Sequence, residues 1–328
     1  MKAKATTCAV GTALLGLGLL AGCGGQGAAQ SASGNGGSQP QLSLILGTTN
    51  NDFYVTMGCG ARAEAKAKGA ALDVQGPTEF SADLQVPIVN AVTAKHPDAV
   101  MIAPTDSQAL IPPMRQMKEA GIKTVEVDTK VADDSLAVSQ VTSDNVLAGK
   151  KAADEINKLT GGHGSVLVVS NTPGISTSDA RGQGFMQEIK KYPGLHGLPI
   201  QYNNDDATKA AQIITSTLAA HPDLSGVFAT AETAAEGVAT GLKGADTSGK
   251  VSMVGFDAGP TQIQALKAGD VQALVAQEPY REGQAAVDQA LKAVSGKPTV
   301  KEVRTGLAIV TKDNLATSGS KYVYKSAC

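Results

Sequence analysis

Short continuous apolar runs alternate with longer amphipathic stretches from Gln41 to the end of the chain. Runs rich in Val, Ile and Leu at 42–46, 99–102, 124–127, 165–169, 226–228, 251–254 and 273–276 predict strands buried on both faces. Between them, 61–68, 86–94, 109–120, 146–159, 207–220 and 281–294 are rich in Ala, Lys, Glu and Gln and carry apolar residues at helical spacing. The alternation predicts an α/β fold with parallel sheets covered by helices. One pattern occurs twice. IVNAVTAKHPDAVMIAP (88–104) and IITSTLAAHPDLSGVFA (213–229) both read as helix, His-Pro-Asp turn and buried strand. Proline ends the helix and pushes the preceding residue out of the α region, and aspartate suits the turn. The echo predicts two lobes of similar build and makes His96 and His221 turn residues.

In open parallel sheets, ligands meet the carboxyl ends of the strands. The polar and aromatic residues following the predicted strands are therefore candidates. They are Asn50, Asn51, Phe53 and Tyr54 after the first strand, Thr105, Asp106 and Ser107 after 99–102, and Asp128 after 124–127. Thr230 and Glu232 follow 226–228, Asp257 follows 251–254, and Gln277 follows 273–276. Carboxylates and amides dominate, and none of these positions is basic. Such groups suit a neutral polyhydroxylated ligand, because each planar carboxylate or amide engages neighbouring hydroxyls. Phe53 and Tyr54 supply a ring surface for the apolar face of a sugar. Structural roles compete: Asp106 could cap the helix at 109–120, and Asp128 and Asp257 could serve turns. The two rings could be helix-start core, although neighbours on a helix point about 100° apart.

Composition narrows the classes. With 328 residues, 42% of them hydrophobic and 18% charged, the chain can bury a large core. It has no basic block, and its 3% aromatic content offers no stacking platform, so a nucleic-acid partner is not expected. HExxH, a CxxC pair and GxSxG are absent from the sequence, and His163 and His196 sit in Gly- or Pro-rich turns. No metal and no catalytic centre are therefore expected. Residues 58–63 fit GxGxxA, but a polar and aromatic loop separates the first glycine from the strand end, which argues against a dinucleotide or any other cofactor.

The N-terminus resembles a bacterial lipoprotein signal: Lys2 and Lys4, an apolar run at 9–20, then Leu20-Ala21-Gly22-Cys23. The resemblance implies a signal peptide at 1–22 and acylation of Cys23. Several acyl chains would anchor the exported protein lastingly on the outer face of the bacterial cell membrane. Residues 23–40 would be a flexible tether, since 24–40 hold no apolar side chain larger than alanine. Removing 1–22 takes two lysines from 28 basic and 30 acidic residues, leaving a formal charge of −4. With Cys8 lost and Cys23 acylated, Cys59 and Cys328 are the thiols left in an oxidising compartment, and a disulfide between them is expected.

Further motifs occur in order: TTNNDFYVTMGCGARAEAKAKG (48–69), APTDS (103–107), TSDNVLAGKKAAD (142–154), RGQGF (181–185), VGFDAGP (254–260) and VAQEPYREG (275–283). Together they resemble the type I periplasmic sugar-binding proteins, close to the ribose-binding group. The resemblance implies two Rossmann-like lobes with parallel sheets joined by three hinge crossovers, near Ser143, after Gln277 and near Gly306. The N-terminal lobe would take 41–143 plus 278–306, and the C-terminal lobe 144–277 plus 307–328. It also implies a monomeric receptor, not an enzyme, that binds a sugar or polyol between the lobes and delivers it to an ABC permease with its ATPase.

Carried over by residue, Asn51, Phe53 and Tyr54 bond and sandwich the sugar ring, and Asp128 and Asp257 take ring hydroxyls. Arg181 is the guanidinium of RGxGF, Gln277 the amide at a crossover, and Ser143 a hinge residue. Asp205 or Asp206 falls near where the pattern has another aromatic. Asn50, Asp106 and Glu232 complete the candidate set. Ala103, Thr129 and Ala231 stand where the ribose pattern has Asn, Arg and Asn. Losing these partners leaves another pentose, a hexose or a polyol as suitable as ribose. Alternatives are a receptor of the same fold for a furanosyl signalling molecule or nucleoside, and an exported sugar-processing enzyme. The nucleoside reading lacks stacking aromatics, and the enzyme reading lacks visible machinery. A transcription regulator of this fold would need a DNA-reading domain where the export signal stands.

Overall fold

The computed structural model describes residues 39–247 and 249–328. Cys23, the signal and all of the expected tether but its last two residues lie outside the described residues. The first half of the chain runs β1 (Gln41–Ile45), α1 (Asp52–Ala67), β2 (Ala71–Gln75), α2 (Ala82–Ala94), β3 (Ala99–Ile102), α3 (Ile111–Glu119), β4 (Lys123–Val127) and β5 (Ser139–Ser143). It continues through α4 (Asn145–Thr160), β6 (Gly164–Ser170), α5 (Ser176–Glu188), β7 (Leu195–Gly197), β8 (Gln201–Tyr202) and α6 (Ala207–Ala220). Then come β9 (Leu224–Ala229), α7 (Glu232–Gly244), β10 (Ser252–Phe256), α8 (Pro260–Ala268) and β11 (Ala273–Ala276). The last elements are α9 (Pro279–Val294), β12 (Glu302–Thr305) and β13 (Ala308–Thr311).

Two sheets result. The first has the order β2-β1-β3-β4-β5-β12 and is parallel throughout. The second has the order β7-β6-β9-β10-β11-β13, with β8 also on β6, and only β13 is antiparallel, to β11. The α/β class with two parallel sheets thus stands as expected. The chain passes between sheets three times: from β5 to α4, from β11 to α9, and from β12 to β13. Each His-Pro-Asp turn feeds the strand at the same place in its sheet, β3 beside β1 and β9 beside β6. His96 takes a φ of 49°, so this turn rather than chemistry accounts for it.

Strand burial explains the apolar runs. Every residue of β3 and of β11 is buried, as in sheets covered on both faces. The missed strands β2, β5, β7, β8, β12 and β13 are short and contain polar residues, and β2, β12, β7 and β13 are edges of their sheets. Of the missed helices, α5 and α7 are rich in glycine, which weakens the local helical signal, and α8 is only nine residues long. Packing demands some of those glycines: a Cβ on Gly184 would strike the Val146 carbonyl of α4. The same device joins α1 to α9, where a Cβ on Gly60 would meet the Tyr280 carbonyl and one on Gly283 the Met57 carbonyl. The glycines of the GxGxxA match therefore sit within α1, and Gly60 serves a helix contact. Replacing Gly283 with alanine should cost about 1–3 kcal/mol through forced separation of α1 and α9, read as a lower urea midpoint. An unchanged midpoint would contradict this close approach.

Candidate functional site

The N-terminus of α1 opens the site. Asn51 is extended (φ −139°) and its Oδ1 accepts the Phe53 N–H at 3.0 Å, so this residue is the N-cap. Its Nδ2 donates to Glu232 Oε2 on α7 at 2.6 Å, which links the two sheet units. Capping starts the helix at Asp52, nine residues earlier than the periodicity from 61 suggests. Phe53 and Tyr54 consequently lie in its first turn, and both are buried. Their rings meet edge-on with centroids 5.1 Å apart. Phe80 stacks on Tyr54 at 6.2 Å, and Tyr324 meets Phe53 at 5.9 Å. In a chain with only five Phe and six Tyr, this clustering is concentrated investment in one wall. Adjacency did not keep the two rings apart, because they fill neighbouring parts of one aromatic cluster.

Two carboxylates face this wall from equivalent places. Asp128 follows β4 and Asp257 follows β10, each the strand beyond the one fed by a His-Pro-Asp turn. Both take positive φ, 63° and 76°, which non-glycine residues seldom adopt. Both N–H groups bond the next strand, Asp128 to Val141 at 2.8 Å and Asp257 to Val275 at 2.9 Å. Strain repeated at matched positions marks a site. Tyr54 Oη donates to Asp128 Oδ2 at 2.6 Å, and Gln277 Nε2 donates to Asp257 Oδ1 at 2.9 Å.

Arg181 supplies the cation. Its guanidinium donates to Asn145 Oδ1 at 2.8 Å, the Thr230 carbonyl at 2.9 Å and Gln277 Oε1 at 3.3 Å. It also lies over the Phe256 ring, 3.6 Å from the centroid. Around it, burial raises four of the cavity carboxyls. Asp128 is pushed up to about 6 by burial, against the lowering pull of Arg181. Burial, with Asp257 and Asp52 nearby, pushes Glu232 to about 9. Burial likewise raises Asp257 and Asp205.

Asn51, Phe53, Tyr54, Asp128, Arg181, Asp205, Glu232, Asp257 and Gln277 all line one cavity between the two sheet units. Six candidates do not, among them Thr105, Ser107 and Thr230, the last of which gives its carbonyl to Arg181. Asn50 is turned outward and donates to the Thr78 carbonyl at 3.0 Å. Asp106 accepts the N–H groups of Gln108 and Ala109 at 2.8 and 2.7 Å and so closes the turn before α3; it does not cap that helix, whose N-cap is Leu110. Ser143 lies behind the cavity, donating to Glu282 Oε1 at 2.9 Å, where the chain leaves the first sheet. Residues absent from the candidate set also line the cavity, including Phe80, Asn171 and Thr177. Asn171 Oδ1 and Thr129 Oγ1 there are buried polar atoms without a hydrogen-bond partner. The strand-end rule could have found Asn171, which directly follows β6. Phe80 and Thr177 follow or belong to elements whose local signal is weak. Among the described residues, no group of three or more His, Cys, Asp and Glu is arranged to hold a metal.

Comparison with known proteins places this geometry. A family model described as a periplasmic binding protein domain matches residues 42–298. The ribose import binding protein of Salmonella typhimurium is 32% identical, over 85% of this chain and 93% of that one. The D-allose-binding periplasmic protein of Escherichia coli is 30% identical, over 73% and 79%. An ABC transporter solute-binding protein from Agrobacterium vitis, solved with α-D-tagatopyranose, superposes with a TM-score of 0.86 at 36% identity, covering 88% of this chain and 100% of that one. A second from the same organism, solved with D-fucose, gives 0.82 at 30% identity, covering 87% and 99%.

The raised carboxyls carry a pH dependence. A carboxyl whose folded pKa exceeds its unfolded value stabilises the fold less as pH rises between the two, because the folded state then holds the extra proton. For Glu232 that window runs from about 4.5 to about 9. Ligand-free protein should therefore lose stability from pH 5 to pH 8 in urea titrations, by up to about 1.4 kcal/mol per pH unit for each such proton. Glu232→Gln should flatten the slope, and a slope identical to the parent's would show that Glu232 is not buried as described.

Proposed function

The chain belongs to the periplasmic binding protein family, and we propose that it is the sugar receptor of an ABC importer. The observation that carries this reading is the single cavity in which Asp128 and Asp257 face each other's sheet unit beside Phe53, Tyr54 and Arg181. Paired carboxylates take adjacent hydroxyls bidentately, and the aromatic wall covers the apolar ring face. Asn51, Asp205, Glu232 and Gln277 complete the binding set. Asn171 and Thr129 bring polar atoms still available to a ligand hydroxyl. The names of the relatives, which cover ribose, allose, tagatose and fucose, support a monosaccharide or sugar alcohol.

Residues 41–143 with 278–306 form the N-terminal lobe, and 144–277 with 307–328 the C-terminal lobe. Sugar enters while the lobes are apart, and rotation about the three crossings closes them, a motion general to periplasmic binding proteins. Closure buries the hydroxyls against fixed partners, so a sugar lacking one of them leaves a buried group unpaired at a cost of about 1–3 kcal/mol. The receptor leaves the sugar chemically unchanged and presents it to a permease driven by its ATPase. It does so as a monomer held to the outer face of the cell membrane by acylated Cys23.

Thermal-shift screening of residues 41–328 against pentoses, hexoses and polyols should find at least one stabilising sugar, worth about 2.7 kcal/mol at a hundredfold excess over Kd. A flat response to the whole panel would overturn the sugar reading. For the sugar found, Asp257→Ala should weaken binding about a hundredfold by calorimetry, and parent-like affinity would remove that carboxylate from the binding set.

A further inference from the structure

The tail beyond β13 is joined to the binding cavity in a way that the two-lobe scheme does not require. Tyr324 is 4% exposed, and its N–H bonds the Ala258 carbonyl at 3.0 Å. Its hydroxyl donates to Asp257 Oδ1 at 2.9 Å and accepts the Gln277 N–H at 3.0 Å. One residue on, the Lys325 N–H donates to Thr56 Oγ1 on α1 at 2.7 Å, and that hydroxyl donates back to the Lys325 carbonyl at 3.2 Å. Three residues further, Cys328 is bonded to Cys59, also on α1. Within five residues the chain therefore runs from the second sheet's binding carboxylate to the first sheet's binding helix.

We infer that residues 324–328 are a strap across the hinge, and that the Cys59–Cys328 bond sets sugar affinity by holding Tyr324 as a positioning residue behind Asp257 and Gln277. This rests on the sugar reading above. Tyr324 and Gln277 both donate to Oδ1 of Asp257, and the Glu232 backbone bonds the same carboxylate, so its orientation is fixed. Two donors on one oxygen also offset the strain of the 76° φ at that residue. The strap is a fourth connection between the lobes and the one that a thiol reagent can open. A tail tied at Cys328 keeps the hydroxyl in place through each opening and closing. A free tail frays, as chain termini do unless tied down, and takes the hydroxyl with it.

Four proteins test this: parent, Tyr324→Phe, the Cys59→Ser/Cys328→Ser double variant, and all three changes together. With the sugar identified by the panel, calorimetry should show about a tenfold loss for Tyr324→Phe, the size of one hydrogen bond to a charged group. The cysteine variant should lose affinity about three- to tenfold, and parent treated with reductant should match it. In the Tyr324→Phe background the cysteine changes should add little, because both act through one hydroxyl. A structural staple alone would give additive losses, and that outcome overturns the inference.

The pH profile separates positioning from packing. Asp257 is faced by Arg181 on α5, Glu232 on α7, Asp128 beyond β4 and Tyr54 on α1. Burial raises its pKa and the Tyr324 hydroxyl lowers it. Tyr324→Phe should therefore shift the acid loss of affinity to higher pH, whereas an unmoved profile would assign Tyr324 to packing only. Hydrogen exchange of ligand-free protein gives a reading independent of any sugar. The Gln277 amide should exchange faster in Tyr324→Phe and in the cysteine variant. If no sugar binds the parent but this amide still responds, the strap stands and the sugar reading falls. If the amide is unchanged in both variants, the strap falls whatever the ligand.

Discussion

A single buried guanidinium organises the interior of this protein. Arg181 is 3% exposed, and a charge so placed is tolerable only when its donors are met. Its partners come from three regions: Asn145 at the start of α4, Thr230 beyond β9 and Gln277 beyond β11, with Phe256 of β10 beneath it. Holding one cation thus fixes the ends of several strands relative to one another. It also moderates the cost of burying Asp128 and Asp257, whose pKa values it pulls down against burial. Asp128 is thereby held at about 6, while Glu232, with Asp257 and Asp52 nearby, is pushed up to about 9.

The same polar economy extends to the crossings. Glu282 on α9 is fully buried, and its Oε1 accepts Ser143 Oγ at 2.9 Å and Thr305 Oγ1 at 2.8 Å. Ser143 ends β5 and Thr305 ends β12, so a helix that follows one crossing holds the residues that begin the other two. Burial, with Asp128 nearby, pushes this carboxyl to about 8. Glu278 adds the Gly306 N–H at 2.9 Å. The crossings are therefore not loose linkers: side-chain bonds gather them into one bundle beneath the cavity, and α9 is seated against α1 by glycines at the contact.

Much of this was legible along the chain because the physics involved is local. Continuous branched runs marked the strands buried on both faces, and residues just beyond them included Asp128, Asp257 and Gln277. Other features were legible only partly. Asn51 was named for a ligand, but its capping bond to Phe53, which moves the helix start forward and turns both rings into the cavity, depends on extended backbone geometry. Asp106 and Asn50 carry the same side-chain types as true cavity residues and differ only in where the loop turns them. Asn171 was overlooked although it stands directly after a strand, and Phe80 and Thr177 belong to regions whose polar or glycine-rich sequence hides their structure.

The sequence by itself determined the α/β class, the repeated half-unit and the chemistry available at strand ends, since hydrophobic period and turn residues act over a few neighbours. Only the tertiary structure decided which of those strand ends converge and which glycines are contacts rather than breaks. It also decided that Tyr324, close to the end of the chain, stands behind a carboxylate 67 residues earlier. These are matters of long-range packing, in which the partners are chosen by how sheets and helices meet and leave no periodic trace in the chain.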